Sequence, residues 1–318
     1  MNAEFFSNQI SALSTKFNYP VWMVSRFVEF VPNPEKLLQE FEMPPKRYIR
    51  INTLKSEIHD LINRLSNIGF EFEITCLPEV LEIIKEPFPI GATTEYLMGY
   101  YYIQDLSSCL AVNELEIAKN QTILDMACAP GGKTSYISQK LNNTGLIIGL
   151  DTSRRRLKST SYNLRRCGIS NVFLYHMDGT KASSLELEFD SILIDAPCSC
   201  EGIIAKDRSI IDRHSLENIS KCQKNQIKLL ESAMQVIKRG GLIIYSTCTL
   251  APEENEMVVD HVLNKFHIDL EPVKYGYNGL TYFGKEKFDD SLRKTKRLYP
   301  HTHNTIGFYI AKLRVNRI

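Results

Sequence analysis

From about Gln121 onward, short apolar runs alternate with helical patterns, and four of the runs end at or near an aspartate. Thr122–Met126 carries Asp125, Leu146–Leu150 leads into Asp151, Val172–Tyr175 ends near Asp178 and Ser191–Ile194 leads into Asp195. Lys133–Leu141, Arg154–Cys167 and the long segment Ser215–Lys238 have helical spacing. Leu242–Tyr245 reads as a fifth strand and Gly307–Leu313 as a late one. Pro252 is expected to open a further helix, with Glu253 and Glu254 at its positive end. Strands alternating with helices predict an α/β fold with a doubly wound, mostly parallel sheet, because parallel neighbours need crossovers that cover the faces. Such sheets bind ligands beyond the carboxyl ends of their strands. The four aspartates fall on that edge, and so do Cys198 and Cys248, which follow the fourth and fifth strands.

The first hundred residues follow a different pattern. Met1–Glu42 is helical, broken by Pro20, Pro32 and Pro34. After Pro44-Pro45, Arg47–Asn52 reads as a strand, Glu57–Ile68 as a helix and Phe70–Thr75 as a strand, a small α+β module. With a boundary near Gly91–Tyr102, the 318 residues divide into a helical segment 1–45, a small module 46–100 and a large domain 101–318. No apolar stretch approaches the ~20 residues of a membrane span, and Met1–Gln9 lacks the pattern of a secretory signal. The eight cysteines are scattered, as expected of reduced thiols in a cytoplasmic protein. Only Cys198-Ser199-Cys200 is close-spaced, and no histidine pair complements it, so no metal site is expected. The net charge is only +1, but basic residues cluster at Lys46-Arg47 with Arg50, at Arg154-Arg155-Arg156 with Lys158, and over 285–318, where nine Lys/Arg face three Asp/Glu. Such clusters permit nucleic-acid binding, although any one of them is as readily a solvated helix face.

Asp125-Met126-Ala127-Cys128-Ala129-Pro130-Gly131-Gly132-Lys133-Thr134 joins a strand to a helix. Its glycines let backbone approach a ligand, and the helix amino end offers free N–H groups to an anion. Ala127 with Gly132-Lys133-Thr134 nearly matches a phosphate-binding P-loop, and Asp195 could then serve magnesium. Pro130 argues against that, since it removes a donor from the cradle. Asp151, about twenty residues beyond the glycines, suits two ribose hydroxyls, and Asp178 suits an adenine amino group. Each alone is an ordinary cap or turn residue. Together they describe an adenosyl ligand with an amino-acid end, S-adenosylmethionine.

Carbon 5 of cytosine is a poor nucleophile until a thiolate adds at carbon 6. It can then take a methyl group from a sulfonium, after which a base removes the carbon-5 proton and the thiol is eliminated. This chemistry needs a cysteine nucleophile, an acid at the ring N3 and amino edge, and a group that helps resolve the adduct. Asp195, Cys198 and Cys248 supply those types. A single buried cysteine is usually inert packing, and residue chemistry alone leaves open which thiol attacks.

These motifs, taken together, resemble the RNA 5-methylcytosine methyltransferases of the Sun (NSUN) family. The turn at 125–134 looks like the family's cofactor loop, Asp195-Ala196-Pro197-Cys198-Ser199 its first cysteine motif, and Ser246-Thr247-Cys248 its second, with Pro252-Glu253-Glu254-Asn255-Glu256 following. Arg50-Ile51-Asn52-Thr53-Leu54-Lys55 and Arg297–Lys312 extend the likeness from about Arg47 to Arg314. The resemblance implies a Rossmann-like class I S-adenosylmethionine-dependent methyltransferase domain, with a small RNA-recognition-like module before it. It implies Cys248 as the nucleophile, Cys198 in product release, Asp195 holding the base beside the cofactor and Lys133 pointing into the site. Ala127, Cys128, Ala129, Pro130, Gly131, Gly132 and Lys133 match the cofactor loop, and Asp151, Arg156 and Asp178 match positions on the adenosine half. Two departures stand out. The family's loop usually reads Cys-Ala-Ala where this chain has Ala127-Cys128-Ala129, and its first motif usually ends Ser-Gly where this chain has Ser199-Cys200. The segment 87–101 looks closest to compact archaeal tRNA enzymes, so the expected substrate is tRNA, with ribosomal RNA second, and the expected state is a monomer. The rival readings are a P-loop nucleotidase and a catalytically inactive RNA-binding protein.

Overall fold

The computed structural model describes residues 2–316. Met1, Arg317 and Ile318, the outer ends of the helical reading of 1–42 and of the basic segment 285–318, lie outside the described residues. A small antiparallel sheet uses β1 (Tyr48–Ile51), β2 (Glu71–Ile74), β3 (Val80–Lys85) and β4 (Tyr101–Ile103) in the order β2-β3-β1-β4. The large sheet begins with β5 (Thr122–Asp125), β6 (Leu146–Asp151), β7 (Val172–His176), β8 (Phe189–Asp195) and β9 (Ile237–Thr247). These five are parallel, in the order β9-β8-β5-β6-β7. The chain winds outward from β5 through β6 and β7, then resumes on the other side with β8. The switch point therefore lies between β5 and β8, and Asp125 and Asp195 stand on either side of it.

Further strands are β10 (Ile268–Glu271), β11 (Tyr277–Asn278), β12 (Tyr282–Phe283), β13 (Glu286–Lys287), β14 (Lys296–Leu298) and β15 (Phe308–Val315). β15 runs antiparallel beside β9, with β10 and β14 on its other edge. The mixed, mostly parallel sheet covered by helices is the Rossmann-like architecture expected from the alternation.

Successive residues of the central strands are buried on opposite faces, which is why the runs lack a polar phase. Leu124, Ile148, Ile192 and Ile243 meet Leu229, Leu230 and Ala233 of helix Leu216–Met234 and Val258 and Val262 of helix Glu256–Lys265. Ile123, Ile147, Leu193 and Leu242 meet Leu110 of helix Leu106–Asn113 and Tyr136 and Ile137 of helix Gly132–Leu141. The helices Asn2–Phe17, Val21–Phe30 and Pro34–Phe41 pack Leu13, Phe27, Phe30, Leu37 and Phe41 against Ile204, Ile210, Leu250 and Tyr299, residues that flank the cysteine motifs. Among the described residues, no helix is long and apolar enough to cross a membrane.

Three element readings are corrected. The helix expected over Ser215–Lys238 ends at Met234, and β9 starts at Ile237 by pairing with Phe189 across a register shift. The helix expected from Pro252 starts at Glu256, because Asn255 has a non-helical backbone and its side chain is held by Thr247 and Thr249. β3 and β4, absent from the sequence reading, complete the small sheet.

The charge pattern also differs from expectation. Arg50, read as part of a surface cluster, is 1% exposed. Arg297 is buried on Glu256, while Lys312 and Arg314 pair with Glu116 and Glu271, so much of the C-terminal basic excess is neutralised locally.

Candidate active site

The turn after β5 is held from inside. Asp125 Oδ2 accepts the Thr134 hydroxyl at 2.7 Å, Cys128 N donates to Leu150 O at 2.8 Å, and Gly131 N donates to Cys128 O at 2.7 Å. Burial pushes the Asp125 carboxyl up to about 6 against the pull of the Thr134 hydrogen bond. Gly131 has φ +99°, and a Cβ there would press on Thr160, so the left-handed turn needs glycine. On the outer side, Pro130 O accepts from the Tyr102 hydroxyl and Asn163, and Arg156 donates to Ala129 O. This arrangement disfavours a phosphate cradle: the Cys128 and Gly131 N–H groups are spent on the chain, and Thr134, whose hydroxyl would hold magnesium in a P-loop, is fully buried on Asp125.

A cleft of about 190 Å³ opens between this loop and β4. Ala127, Cys128, Ala129, Pro130, Gly132, Lys133 and Asp195 line one side; Tyr102, Ile103, Gln104, Asp105 and Ser108 line the other. Gly131 shapes the turn behind them. Asp151 ends β6 and is 3% exposed; its Oδ1 accepts Ser153 N at 2.8 Å. Its Oδ2 lies 3.3 Å from Arg156 Nη1 yet has no hydrogen-bond partner, although it is buried. Such an orphaned acceptor matches the need of a ribose hydroxyl, since burying a carboxylate oxygen unbonded is costly. Asp178 stands apart from the cleft wall on the exposed strand edge after β7, where its Oδ1 accepts Thr180 N at 2.9 Å. The donor set therefore fits an adenosyl amino acid, with Asp151 on the sugar and the Ala127–Lys133 turn on the amino-acid end.

At the switch point, Lys133 Nζ lies 2.7 Å from Asp195 Oδ2 and 3.1 Å from Ser108 Oγ, while Ser246 Oγ donates to Asp195 Oδ1 at 3.2 Å. Burial opposes the Lys133 charge, but the Asp195 carboxylate outweighs it and raises the pKa, so the ammonium is retained.

β8 and β9 are in parallel register, with Asp195 beside Ser246, and this brings the two cysteine loops together. Cys198 Sγ and Cys248 Sγ are 3.2 Å apart. Cys200 Sγ joins them at 4.0 Å from Cys198 and 3.8 Å from Cys248. All three are free and half-buried. Hydrogen bonding to Cys200 and then Cys248 holds the Cys198 thiol above the usual range. For Cys248, the Cys198 hydrogen bond lowers the pKa, but Cys200 and burial outweigh it.

The motif after Cys248 clamps these loops. Glu254 Oε2 accepts Ser199 N at 3.0 Å and Gln226 Nε2 at 2.8 Å, and Gln226 also holds Pro197 O. Glu253 pairs with Arg26 of the second N-terminal helix, and Glu256 with Arg297. The glutamates expected to cap a helix instead hold tertiary partners. Gly202 and Gly307 pass so closely that a Cβ on Gly202 would meet Gly307 O at 2.1 Å, which fixes the loop after Cys200.

The structure thus brings Lys133, Asp195, Cys198 and Cys248 to one place. Sequence reasoning places Ser246 and Glu254 inside family motifs without naming their contacts, and misses Ser108, Gln104 and the burial of Arg50. The Pro-Glu-Glu-Asn-Glu spelling reads both as a helix start and as part of the family pattern, and neither reading names the clamp.

Comparison with known proteins follows the same lines. The family model described as 16S rRNA methyltransferase RsmB/F matches residues 112–314. A 28S rRNA (cytosine-C(5))-methyltransferase of Mus musculus is 40% identical over 98% of this chain and 41% of its own length. Ribosomal RNA small subunit methyltransferase F of Aeromonas salmonicida is 39% identical over 85% of this chain and 58% of its own. The chain therefore spans roughly half the length of these curated relatives. A methyltransferase homologue from Pyrococcus horikoshii superposes with a TM-score of 0.89 at 37% identity, covering 96% of this chain and 99% of that one. NSun6 from Pyrococcus horikoshii, solved with the S-adenosylmethionine analogue SFG, gives 0.82 at 28% identity, covering 92% and 97%.

Proposed function

The chain belongs to the RsmB/F family of S-adenosylmethionine-dependent methyltransferases, and on that premise we propose that it makes 5-methylcytosine in RNA through a covalent Cys248–cytosine adduct. The observation that carries this reading is the meeting of Cys248 and Cys198, 3.2 Å apart, beside the Lys133–Asp195 pair at the sheet's switch point. S-adenosylmethionine supplies the methyl group, held by the 127–133 turn, Asp151 and Arg156, with Asp178 at the adenine end. The Cys248 sulfur adds to ring carbon 6 as its thiol proton leaves, and ring N3 takes up a proton in return. Asp195 meets the N3 and amino edge, with the Lys133 ammonium beside it as the proton-bearing group. Carbon 5 would take the methyl group from the sulfonium, whose S–CH3 bond breaks to leave a thioether; a base then takes the carbon-5 proton, and elimination breaks the C6–S bond and releases Cys248. Cys198, in contact with the departing sulfur, assists that release. The target base leaves its stack to reach Cys248.

The small sheet, which includes β4 (Tyr101–Ile103), serves together with 1–45 to hold RNA beside the large domain, which starts after β4. A groove of about 380 Å³ lined by Lys46, Arg47, Tyr48 and Lys206 shares Ile103, Gln104 and Asp105 with the cofactor cleft and supports that role. Ribosomal RNA is supported by the relatives' names; tRNA rests on the likeness of 87–101 to compact tRNA enzymes. The enzyme works as a monomer in a reducing compartment such as the cytoplasm, a setting its free thiols suit.

Cys248→Ala should abolish methyl transfer while S-adenosylmethionine still binds; retained turnover overturns the nucleophile. Cys198→Ala should accumulate a protein–RNA adduct resistant to denaturing gel electrophoresis, and no adduct under turnover conditions overturns the release role. Bisulfite sequencing of RNA from cells with and without the gene separates ribosomal from transfer RNA.

A further inference from the structure

We propose that Cys198, Cys200 and Cys248 form a three-thiolate site for a zinc-type cation, which occupies the reaction centre reversibly and shuts it down. The site itself does not depend on the catalytic roles; only its inhibitory consequence rests on the proposed function.

The geometry carries the site. Zn–S bonds of about 2.3 Å put tetrahedral sulfurs about 3.8 Å apart and trigonal ones about 4.0 Å apart. The Cys248–Cys200 and Cys198–Cys200 separations are 3.8 and 4.0 Å. The third, Cys198–Cys248, is 3.2 Å and needs a side-chain adjustment of about 0.6 to 0.8 Å to match. All three sulfurs lie within 4.8 Å of one another, on half-buried residues. Water takes the fourth position, as in zinc sites with three protein ligands. Borderline-soft cations of this kind prefer thiolate to oxygen ligands.

The backbone favours the same reading. Binding three thiols releases three protons and changes no oxidation state, leaving one net negative charge on the cluster. Lys133, ion-paired with Asp195, lies near Cys248, and Arg213, ion-paired with Asp207, lies near Cys200. Cys200 adopts φ +66°, a left-handed conformation disfavoured for a side chain, and from it the thiol completes the triangle. Sequence spacing hid the site because Cys248 lies far along the chain from the Cys198-Ser199-Cys200 pair.

The test is anaerobic titration of the reduced full-length protein with Co²⁺, then displacement by Zn²⁺. The expected result is one equivalent of Co²⁺ with a thiolate charge-transfer band and strong visible bands, both lost when Zn²⁺ is added. Cys200→Gly, which restores a residue suited to the left-handed backbone, should weaken binding more than about 100-fold, beyond the loss of a supporting group alone. Cys222→Ala, outside the triangle, should bind like the native protein. If the native protein gives no thiolate bands, or if Cys200→Gly binds as tightly, the site is overturned. With an RNA substrate, zinc should inhibit native methyl transfer and a chelator should restore it, while Cys200→Gly methylates and resists zinc. Should no RNA be methylated, the proposed function fails but the optical titration still decides the metal site.

Discussion

Glu254 is a carboxyl group placed where its proton matters. It is fully buried, it accepts from Ser199 N and Gln226, and its Oε1 has no partner. Burial pushes its pKa up from 4.5 to about 7; the Ser199 and Gln226 hydrogen bonds favour the charged form, and nearby Glu201 opposes it. The folded protein therefore keeps a proton that the unfolded chain releases above pH 4.5. Stability should fall as pH rises between about 4.5 and 7, by about 3 kcal/mol, and level off above. Asp125, pushed up to about 6, adds a slope of the same sign at lower pH. Glu254→Gln keeps an acceptor for Ser199 and removes the titration, so its denaturation free energy should be flatter than the native protein's from pH 5 to 7. Parallel native and Glu254→Gln profiles would refute this account of Glu254. Because Ser199 lies next to Cys198, the same titration reaches the loop that bears the first thiol.

At the scale of elements, β1 bolts the small sheet to the cofactor turn. The Arg50 guanidinium donates to Gln104 Oε1 and Gly132 O at 2.7 Å and to Ser135 Oγ at 2.8 Å, and lies 4.7 Å from the Tyr136 ring centroid. Two residues on, Asn52 Nδ2 donates to Gly99 O and Cys167 O. Arg50→Leu should leave those acceptors unmet, cost on the order of 3 kcal/mol, and weaken S-adenosylmethionine binding by loosening the turn at Gly132. Calorimetry that finds unchanged cofactor affinity would show that β1 does not brace the loop. Arg50 also marks what the sequence could show. Four of the parallel strands, β5, β6, β8 and β9, were legible because burial on both faces makes their runs apolar; the edge strand β7, with Phe173 and Tyr175 exposed, was legible only from its Val-Phe-Leu-Tyr spelling. The acids were legible because they end those runs. Burial of a lone arginine has no such signature, so Arg50 read as surface charge. β3 was missed because only its first half is buried, and β4 because three residues carry no period. The third thiol was visible as a departure at Cys200, but its meeting with Cys248 depends on the register of β8 and β9.

For the whole molecule, 38 basic and 37 acidic side chains leave almost no net field, so RNA affinity must come from where charge is exposed. Arg154, Arg155 and Lys158 are exposed on helix Arg154–Arg166, and Lys46, Arg47 and Lys206 line the groove that joins the cleft. Lys46 and Lys206 also pair with Glu82 and Asp105. Partly exposed pairs of this kind are worth little, so they can be exchanged for phosphate contacts. Each phosphate neutralised on a single strand adds about 0.7 to the slope of log affinity against log salt. Lys46→Gln with Lys206→Gln should reduce that slope by about 1 to 1.5 and weaken binding evenly across RNA sequences, with S-adenosylmethionine affinity unchanged. Lys312→Gln, whose ammonium is tied to Glu116 and Glu271 at the far end of β15, should leave the slope as it was. Fluorescence anisotropy with labelled RNA over a potassium chloride series measures both. A double variant with the native slope would move the RNA path off the groove and onto another surface, with the exposed arginines of helix Arg154–Arg166 the next to substitute.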